Sequence, residues 1–301
     1  MNDRIIGEIK GSQEGPLIIY VGGIHGNELQ GLLALEHVFN SFDIDTTTLS
    51  GKAIAVRGNL AAIKSGKRYV SKDLNRIWNI ADSLDETEVK EVEEYKALKS
   101  LIETELQIGN YSQAYLIDLH TTSAPTIPFA VTTNNSSNKD FVNLLGIPYI
   151  TGLDGFLDGT MLEWMCTKGH CGLAFEAGQH HSDISMIKHE AFIRLSMYYA
   201  GFITELSADR LTTLKHQLED ELKTKHNHFV LVDRYKIAKG ENFKMEPGFS
   251  NFEHVYKGEI LAQNQNGNIL AKTDANIFMP LYQKQGDDGF FIIKPYEGTE
   301  L

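Results

Sequence analysis

Leu17-Ile18-Ile19-Tyr20-Val21-Gly22-Gly23-Ile24-His25-Gly26-Asn27-Glu28 is the stretch on which the reading of this chain turns. Five apolar residues ended by two glycines predict a buried strand that breaks into a tight loop. From Leu29 to Phe39 the apolar residues recur at helical spacing, which puts Glu28 at a helix start. His25 and Glu28 are then three apart across a loop-to-helix turn, where both side chains can converge on one ion. A neutral imidazole nitrogen and a carboxylate oxygen are zinc-type ligands, and two His plus one Glu with an open fourth position is a known catalytic arrangement. The third ligand has to come from elsewhere. His120, which ends the apolar run Tyr115-Leu116-Ile117-Asp118-Leu119, is the candidate. By itself the His-x-x-Glu pair is a weak signal. A chain with 11 His and 40 acidic residues produces such pairs by chance, and most are solvated surface or helix-start electrostatics.

Working outward, short apolar strands alternate with helical patterns up to about residue 205. The predicted strands are Leu17–Val21, Ala53–Val56, Tyr115–Leu119, Phe129–Thr132, Pro148–Thr151 and Gly172–Glu176, and the clearest helices run from Glu88 to Leu106 and from Ser185 to Glu205. Such alternation predicts an α/β fold, a mixed and mostly parallel sheet with helices on both faces. A charged amphipathic stretch from Asp209 to Lys225 reads as a connector. Beyond it come short β-type runs separated by turns such as Asn266-Gly267-Asn268 and Asp287-Asp288-Gly289. The expected organisation is a catalytic domain over 1–208, a helical connector over 209–228 and a small all-β domain over 229–301.

Composition narrows the class. With 301 residues, 42% of them hydrophobic, the chain has ample core for one large or two smaller units. A net charge of −12 argues against nucleic acid or an anionic membrane as partner, because both need a basic face. No apolar run approaches the ~20 residues that span a bilayer. Residues 1–9 carry charges and no apolar segment, which predicts no secretory signal. Two cysteines, Cys166 and Cys171, make no disulfide framework, so the cytoplasm is the expected compartment. A homo-oligomer is compatible with all of this, and the sequence does not fix the state.

In an open α/β sheet, ligands bind outside the carboxyl ends of the strands. His25 and Glu28 follow the first strand, Arg57-Gly58-Asn59 the second, Asp118 and His120 close the third, and Glu176 closes the last before Ala177-Gly178. A carboxylate at a buried strand end is costly unless a cation or donor meets it. For Glu176 one reading is a plain ion pair. The other is that it takes the proton of a zinc-activated water, whose pKa falls toward ~7, and passes it to a leaving nitrogen. Asp118 lies two before His120 and so on the same side of its strand, either as a salt-bridge partner or as acceptor for a ligand imidazole. Lys67-Arg68-Tyr69-Val70-Ser71-Lys72-Asp73-Leu74-Asn75-Arg76 is a basic stretch in an acidic protein. It is either a solvated face or a substrate clamp, with Asn75 and Arg76 on a carboxylate and Arg68 on a developing oxyanion.

Taken together, GGIHGNE, RGN…KRYVSKDLNR, DLHTT and FEAG resemble the succinylglutamate desuccinylase/aspartoacylase family, relatives of the zinc carboxypeptidases, over nearly the whole chain. The resemblance implies that fold with a β-rich C-terminal part. It implies one Zn2+ per chain on His25, Glu28 and His120, substrate binding by Asn75 and Arg76, and catalysis by Glu176 with Arg68. The implied activity is removal of an acyl group from a small N-acyl amino acid. A zinc carboxypeptidase acting on short peptides is the nearest alternative, and a non-catalytic metal- or ligand-binding protein on the same scaffold is another. Aspartoacylases proper have an arginine about ten residues before the catalytic Glu. This chain has Cys166 there, with Lys168 the nearest base, which counts against N-acetylaspartate as substrate.

Overall fold

The structure, a computed structural model, describes residues 4–44, 48–219 and 224–298. In its first half the chain forms β1 (Ile5–Lys10), β2 (Gln13–Gly22), α1 (Gln30–Asn40), β3 (Ser50–Arg57), α2 (Leu60–Ser65), α3 (Glu91–Ile108), β4 (Ala114–Thr122), β5 (Phe129–Thr132) and α4 (Ser136–Leu145). There follow β6 (Tyr149–Thr151), α5 (Met161–Thr167), β7 (Cys171–Gln179), α6 (Asp183–Tyr199) and α7 (Ala208–Leu218). The rest is β: β8 (His228–Lys236), β9 (Lys244–Met245), β10 (His254–Val255), β11 (Ile260–Asn264), β12 (Gly267–Leu270), β13 (Ala275–Phe278) and β14 (Asp288–Pro295).

One sheet carries the molecule, in the order β1-β3-β2-β4-β7-β5-β6-β8-β14-β13-β10. Its centre, β3-β2-β4-β7, is parallel, while β1 and β5 run antiparallel to their central neighbours β3 and β7. From Leu17 to Val21 the strand β2 is apolar because both faces of the sheet are covered there. Ile18 and Tyr20 point into a core shared with α1, α4 and α6, and Leu17, Ile19 and Val21 into one shared with α3 and α5. Each such buried side chain is worth about 1.5–3 kcal/mol, which fixes the register of the strand and so the position of the loop after it.

The C-terminal strands extend this same sheet. β8 pairs in parallel with β6, and β14, β13 and β10 follow antiparallel, leaving β12-β11-β9 as a separate three-stranded sheet. The stretch expected to be a connector is helical over Ala208–Leu218, and its residues 220–223 lie outside the described residues. The helix expected to run to Glu205 ends at Tyr199, with Gly201 at φ +80° turning the chain where no L side chain sits easily. Among the described residues no helix is long and apolar enough to cross a membrane.

The segment after α2, which carries Arg68 to Arg76, has little regular structure, and a buried carboxylate holds it. Glu91, fully buried in the first turn of α3, accepts the backbone N–H groups of Val70 (2.6 Å), Ser71 (3.1 Å) and Lys72 (3.0 Å). A carboxylate at a helix N-terminus is favoured by the helix dipole, and three converging donors offset its desolvation. Glu91→Gln replaces one acceptor oxygen by an NH2 group that faces those donors. It is expected to cost about 2–4 kcal/mol in chemical denaturation, and a midpoint equal to the parent's would show that the segment is held by other means.

Candidate metal centre

The loop after β2 is pressed against α2: a Cβ on Gly26 would sit 2.0 Å from the carbonyl carbon of Ala62, so only glycine fits. This packing aims His25 and Glu28 across the end of β2 toward His120 at the end of β4. The ligand atoms of His25, Glu28 and His120 all lie within 4.8 Å of one another, and all three residues are buried. Nδ1 of His25 is 2.8 Å from Glu28 Oε1, and Nδ1 of His120 is 2.9 Å from Glu28 Oε2. On the far side of each ring stands an aspartate. Asp73 Oδ1 is 3.2 Å from His25 Nε2, and Asp118 Oδ2 is 2.7 Å from His120 Nε2. Two imidazoles, each backed by a carboxylate that fixes tautomer and ring orientation, and one carboxylate between them form a donor set suited to zinc. Asp118 was legible from strand alternation; Asp73, 48 residues from its histidine, was not.

Charge is tightly balanced here. Burial pushes the Glu28 carboxyl up, but His25 and His120 outweigh it and hold it well below the usual carboxylate range. Thr121 N–H and Arg68 Nη1 also donate to it, at 3.1 and 3.2 Å. Burial opposes charge on His120, yet Asp118 and Glu28 hold its ring well above the ordinary histidine value. Asp73 is held low against burial by His25 and by Arg68, whose Nε and Nη2 both donate to its Oδ2.

Glu176 of β7 stands in register beside His120 of β4, so its side chain rises on the same face. Burial pushes its carboxyl up to about 8, with Glu28 adding to the shift and His120 and Arg68 opposing it. Its Oε2 has no hydrogen-bond partner. This is an environment in which a carboxyl both takes and gives a proton near neutrality. Asn75 and Arg76 reach the same cleft. The Asn75 carboxamide is largely engaged, donating to Asp118 Oδ2 at 3.2 Å and accepting from Met161 N–H at 2.8 Å. Arg76 Nη2 donates to Asp288 Oδ2 at 3.3 Å.

Cys166 packs against Gly172, Thr133 and Asn138, away from the cleft, and Lys168 pairs with Glu103 over the ring of Trp164. Neither lines the cavity. A base that does, unforeseen from sequence, is Arg234 of β8, whose Nε lies 2.5 Å from Asp288 Oδ1. Asp288 thus bridges Arg76 and Arg234 over sequence separations of 212 and 54 residues, which no local pattern announces.

The cleft has a volume of about 360 Å3. One end holds His25, Glu28, His120, Glu176 and Arg68, and the strap between β13 and β14 forms part of its wall. That strap is tied across the opening. Gln283 accepts from Asn27, and the Gln285 carboxamide accepts from Arg68 N–H and donates to Tyr69 O.

Comparison with known proteins gives the family and the fold. The family described as "Succinylglutamate desuccinylase/Aspartoacylase catalytic domain" matches residues 14–191, more than half of the chain. A probable aspartoacylase from Prochlorococcus marinus is 27% identical over 274 residues, covering 88% of this chain and 87% of that one. Another from Nostoc sp. is 34% identical over 108 residues, which span 36% of this chain and 35% of that relative. Among solved structures, a succinylglutamate desuccinylase/aspartoacylase from Rhodobacter sphaeroides shares the fold with a TM-score of 0.71 at 18% identity, covering 97% of this chain and 88% of that chain. The chain belongs to the succinylglutamate desuccinylase/aspartoacylase family.

Proposed function

We propose that this protein is a zinc-dependent amidohydrolase, with one ion per chain, that removes the acyl group from a small N-acyl amino acid in the cytoplasm. One observation carries the reading. A buried Glu28 carboxylate lies between the Nδ1 atoms of two imidazoles, and an acid with a partnerless oxygen, Glu176, lines the same cleft.

His25, Glu28 and His120 would hold the zinc, and Asp73 and Asp118 would keep both rings turned to it. When bound, zinc polarises the amide carbonyl and lowers the pKa of water toward ~7. Glu176 takes the attacking water's proton at Oε2 and returns it to the leaving amine nitrogen. Its carboxyl, raised to about 8, is matched to both tasks. Arg68, held by Asp73 and Glu28, presents its guanidinium to the charge that develops on the carbonyl oxygen. Arg76, with any hydrogen of Asn75 not spent on Asp118, orients the substrate carboxylate. The strap from Met279 to Asp287, tied to Asn27 and to the Arg68–Tyr69 backbone, favours a short substrate over an extended peptide.

Three variants test the assignments. Glu176→Gln is expected to lower kcat by a factor on the order of 10² to 10⁴ while zinc content by elemental analysis stays at the parent level; parental turnover would remove Glu176 from the chemistry. His120→Ala is expected to lose zinc first and activity with it, so a variant that keeps stoichiometric metal would exclude His120 as a ligand. Arg76→Ala removes a charge-assisted bond worth about 1.5–3 kcal/mol, a loss of roughly ten- to a hundredfold in kcat/KM expressed chiefly as a higher KM. Unchanged kinetics would place the substrate carboxylate elsewhere.

A further inference from the structure

The cleft is polar at one end only. From Glu176 outward its wall is built by Ala174, Val131, Leu162, Leu157, Leu153 and Phe291, which belong to one contiguous apolar cluster. Strand register fixes where that wall begins. In the antiparallel pair of β5 and β7, Val131 faces Ala174 and Phe129 faces Glu176. Ala174 is two residues before Glu176, so both project from the same face, ~7 Å apart along the strand. Apolar surface therefore starts one strand step from the carboxyl that would serve the scissile nitrogen. It lies on the side of the cleft where Arg76 and Asp288 stand, since Phe291 shares β14 with Asp288 and Leu162 follows the Met161 N–H bonded to Asn75.

The guanidinium that reaches this wall, Arg234, is already engaged. Arg234 places Nε and Nη2 on Asp288 Oδ1, both at 2.5 Å, and Nη1 on the carbonyl of Phe156. Lys72, half-buried, and Lys236, exposed, also line the cleft. A second carboxylate inserted among Val131, Leu157 and Phe291 meets hydrocarbon and reaches Arg234 only by displacing Asp288, and burying an unpaired charge is strongly unfavourable.

We infer that the amino-acid side chain of the substrate is apolar: the protein is selective for N-acyl amino acids with an aliphatic or thioether side chain of leucine or methionine size, which lies along the wall from Ala174 to Phe291. This rests on the deacylase reading above and names the substrate class of that site. The carboxylate next to the scissile nitrogen goes to Arg76, and the side chain on the same carbon is directed away from the charged end of the cleft. Selectivity comes from apolar area, at about tenfold or more per methylene accommodated, and from the hold of Asp288 on Arg234, which keeps that guanidinium from a second acid.

The zinc-loaded full chain is assayed with the N-acetyl derivatives of leucine, methionine, alanine, aspartate and glutamate. In parallel, calorimetry measures binding of the free products leucine and aspartate. Expected are kcat/KM values for leucine or methionine at least tenfold above alanine and a hundredfold above aspartate, with leucine the tighter-binding product. Ala174→Val, which narrows the wall beside Glu176, is expected to lower the leucine-to-alanine ratio at least fivefold. Leu157→Lys, which brings an ammonium to the wall, is expected to raise the aspartate-to-leucine ratio at least tenfold. Preference for aspartate or glutamate overturns the inference, as do ratios that neither variant moves. If no acyl amino acid is turned over, the deacylase reading fails on its own and the calorimetry still decides the pocket: tighter leucine sustains its apolar character, while tighter aspartate, equal affinity or no binding of either refutes it.

Discussion

Glu28 is a carboxylate with almost no access to water, and its surroundings are arranged around that fact. An ionised acid in such a place is tolerated only if positive charge and hydrogen-bond donors surround it. Here the Nδ1 atoms of His25 and His120, the guanidinium of Arg68 and the N–H of Thr121 all close on its two oxygens. These partners come from three places in the chain: the β2–α1 loop, two adjacent positions at the end of β4, and the segment after α2. The need to satisfy one buried charge thus ties together the strand ends that form the cleft. The same need makes the cluster a natural cation site, since a divalent ion brings the charge that burial withholds.

The compensation extends one layer further out. Asp73 and Asp118 stand behind the imidazoles, Arg68 closes on Asp73, and Asn75 closes on Asp118. Three of those four side chains, Arg68, Asp73 and Asn75, belong to one stretch with only a short 3-10 turn to give it shape. Glu91 supplies the missing rigidity by collecting three consecutive backbone N–H groups. A loop fixed by a buried anion is a different device from one fixed by its own hydrogen bonds. It makes the precision of the site depend on the docking of α3, whose apolar side chains pack on the β2–β4 face of the sheet.

How much of this was legible in sequence follows from the range of each interaction. The strands β2, β4 and β7 announce themselves as apolar runs because they are covered on both faces, and their ends fall where glycine or a polar residue interrupts the run. His25, Glu28, His120 and Glu176 were therefore readable as residues at strand ends, and Asp118 through alternation. Asp73 was visible only as part of a charged run, since nothing local ties it to a histidine 48 positions away. Glu91 reads as one more acid on an acidic helix. Arg234 and Asp288 pair across β8 and β14, and that pairing depends on strand register rather than on any motif. The short edge strands β1 and β10 were missed because neither has the apolar run that marked the central ones. The β texture after residue 228 was plain in its turns and short runs, but the continuity of those strands with the main sheet was not, because β6, the strand they join, is only three residues long.

That continuity changes what the C-terminal strands contribute. Because β8 pairs with β6, and β14 with β8, the residues Arg234, Asp288 and Phe291 stand on the same sheet as Glu176. They complete the cleft where Asp288 meets Arg76, while the strap between β13 and β14 bonds back to Asn27, Arg68 and Tyr69. The residues proposed as ligands and as the proton-handling acid all fall within residues 14–191, the part that matches the family's catalytic domain. The wall that meets the rest of a substrate is drawn partly from beyond it. The wall therefore draws Val131, Leu153, Leu157, Leu162 and Ala174 from the matched part and Phe291 from β14, joined by one sheet that sets Ala174 and Phe291 relative to Glu176. Sequence change after residue 228 can alter what is bound without disturbing the four side chains on which hydrolysis would depend.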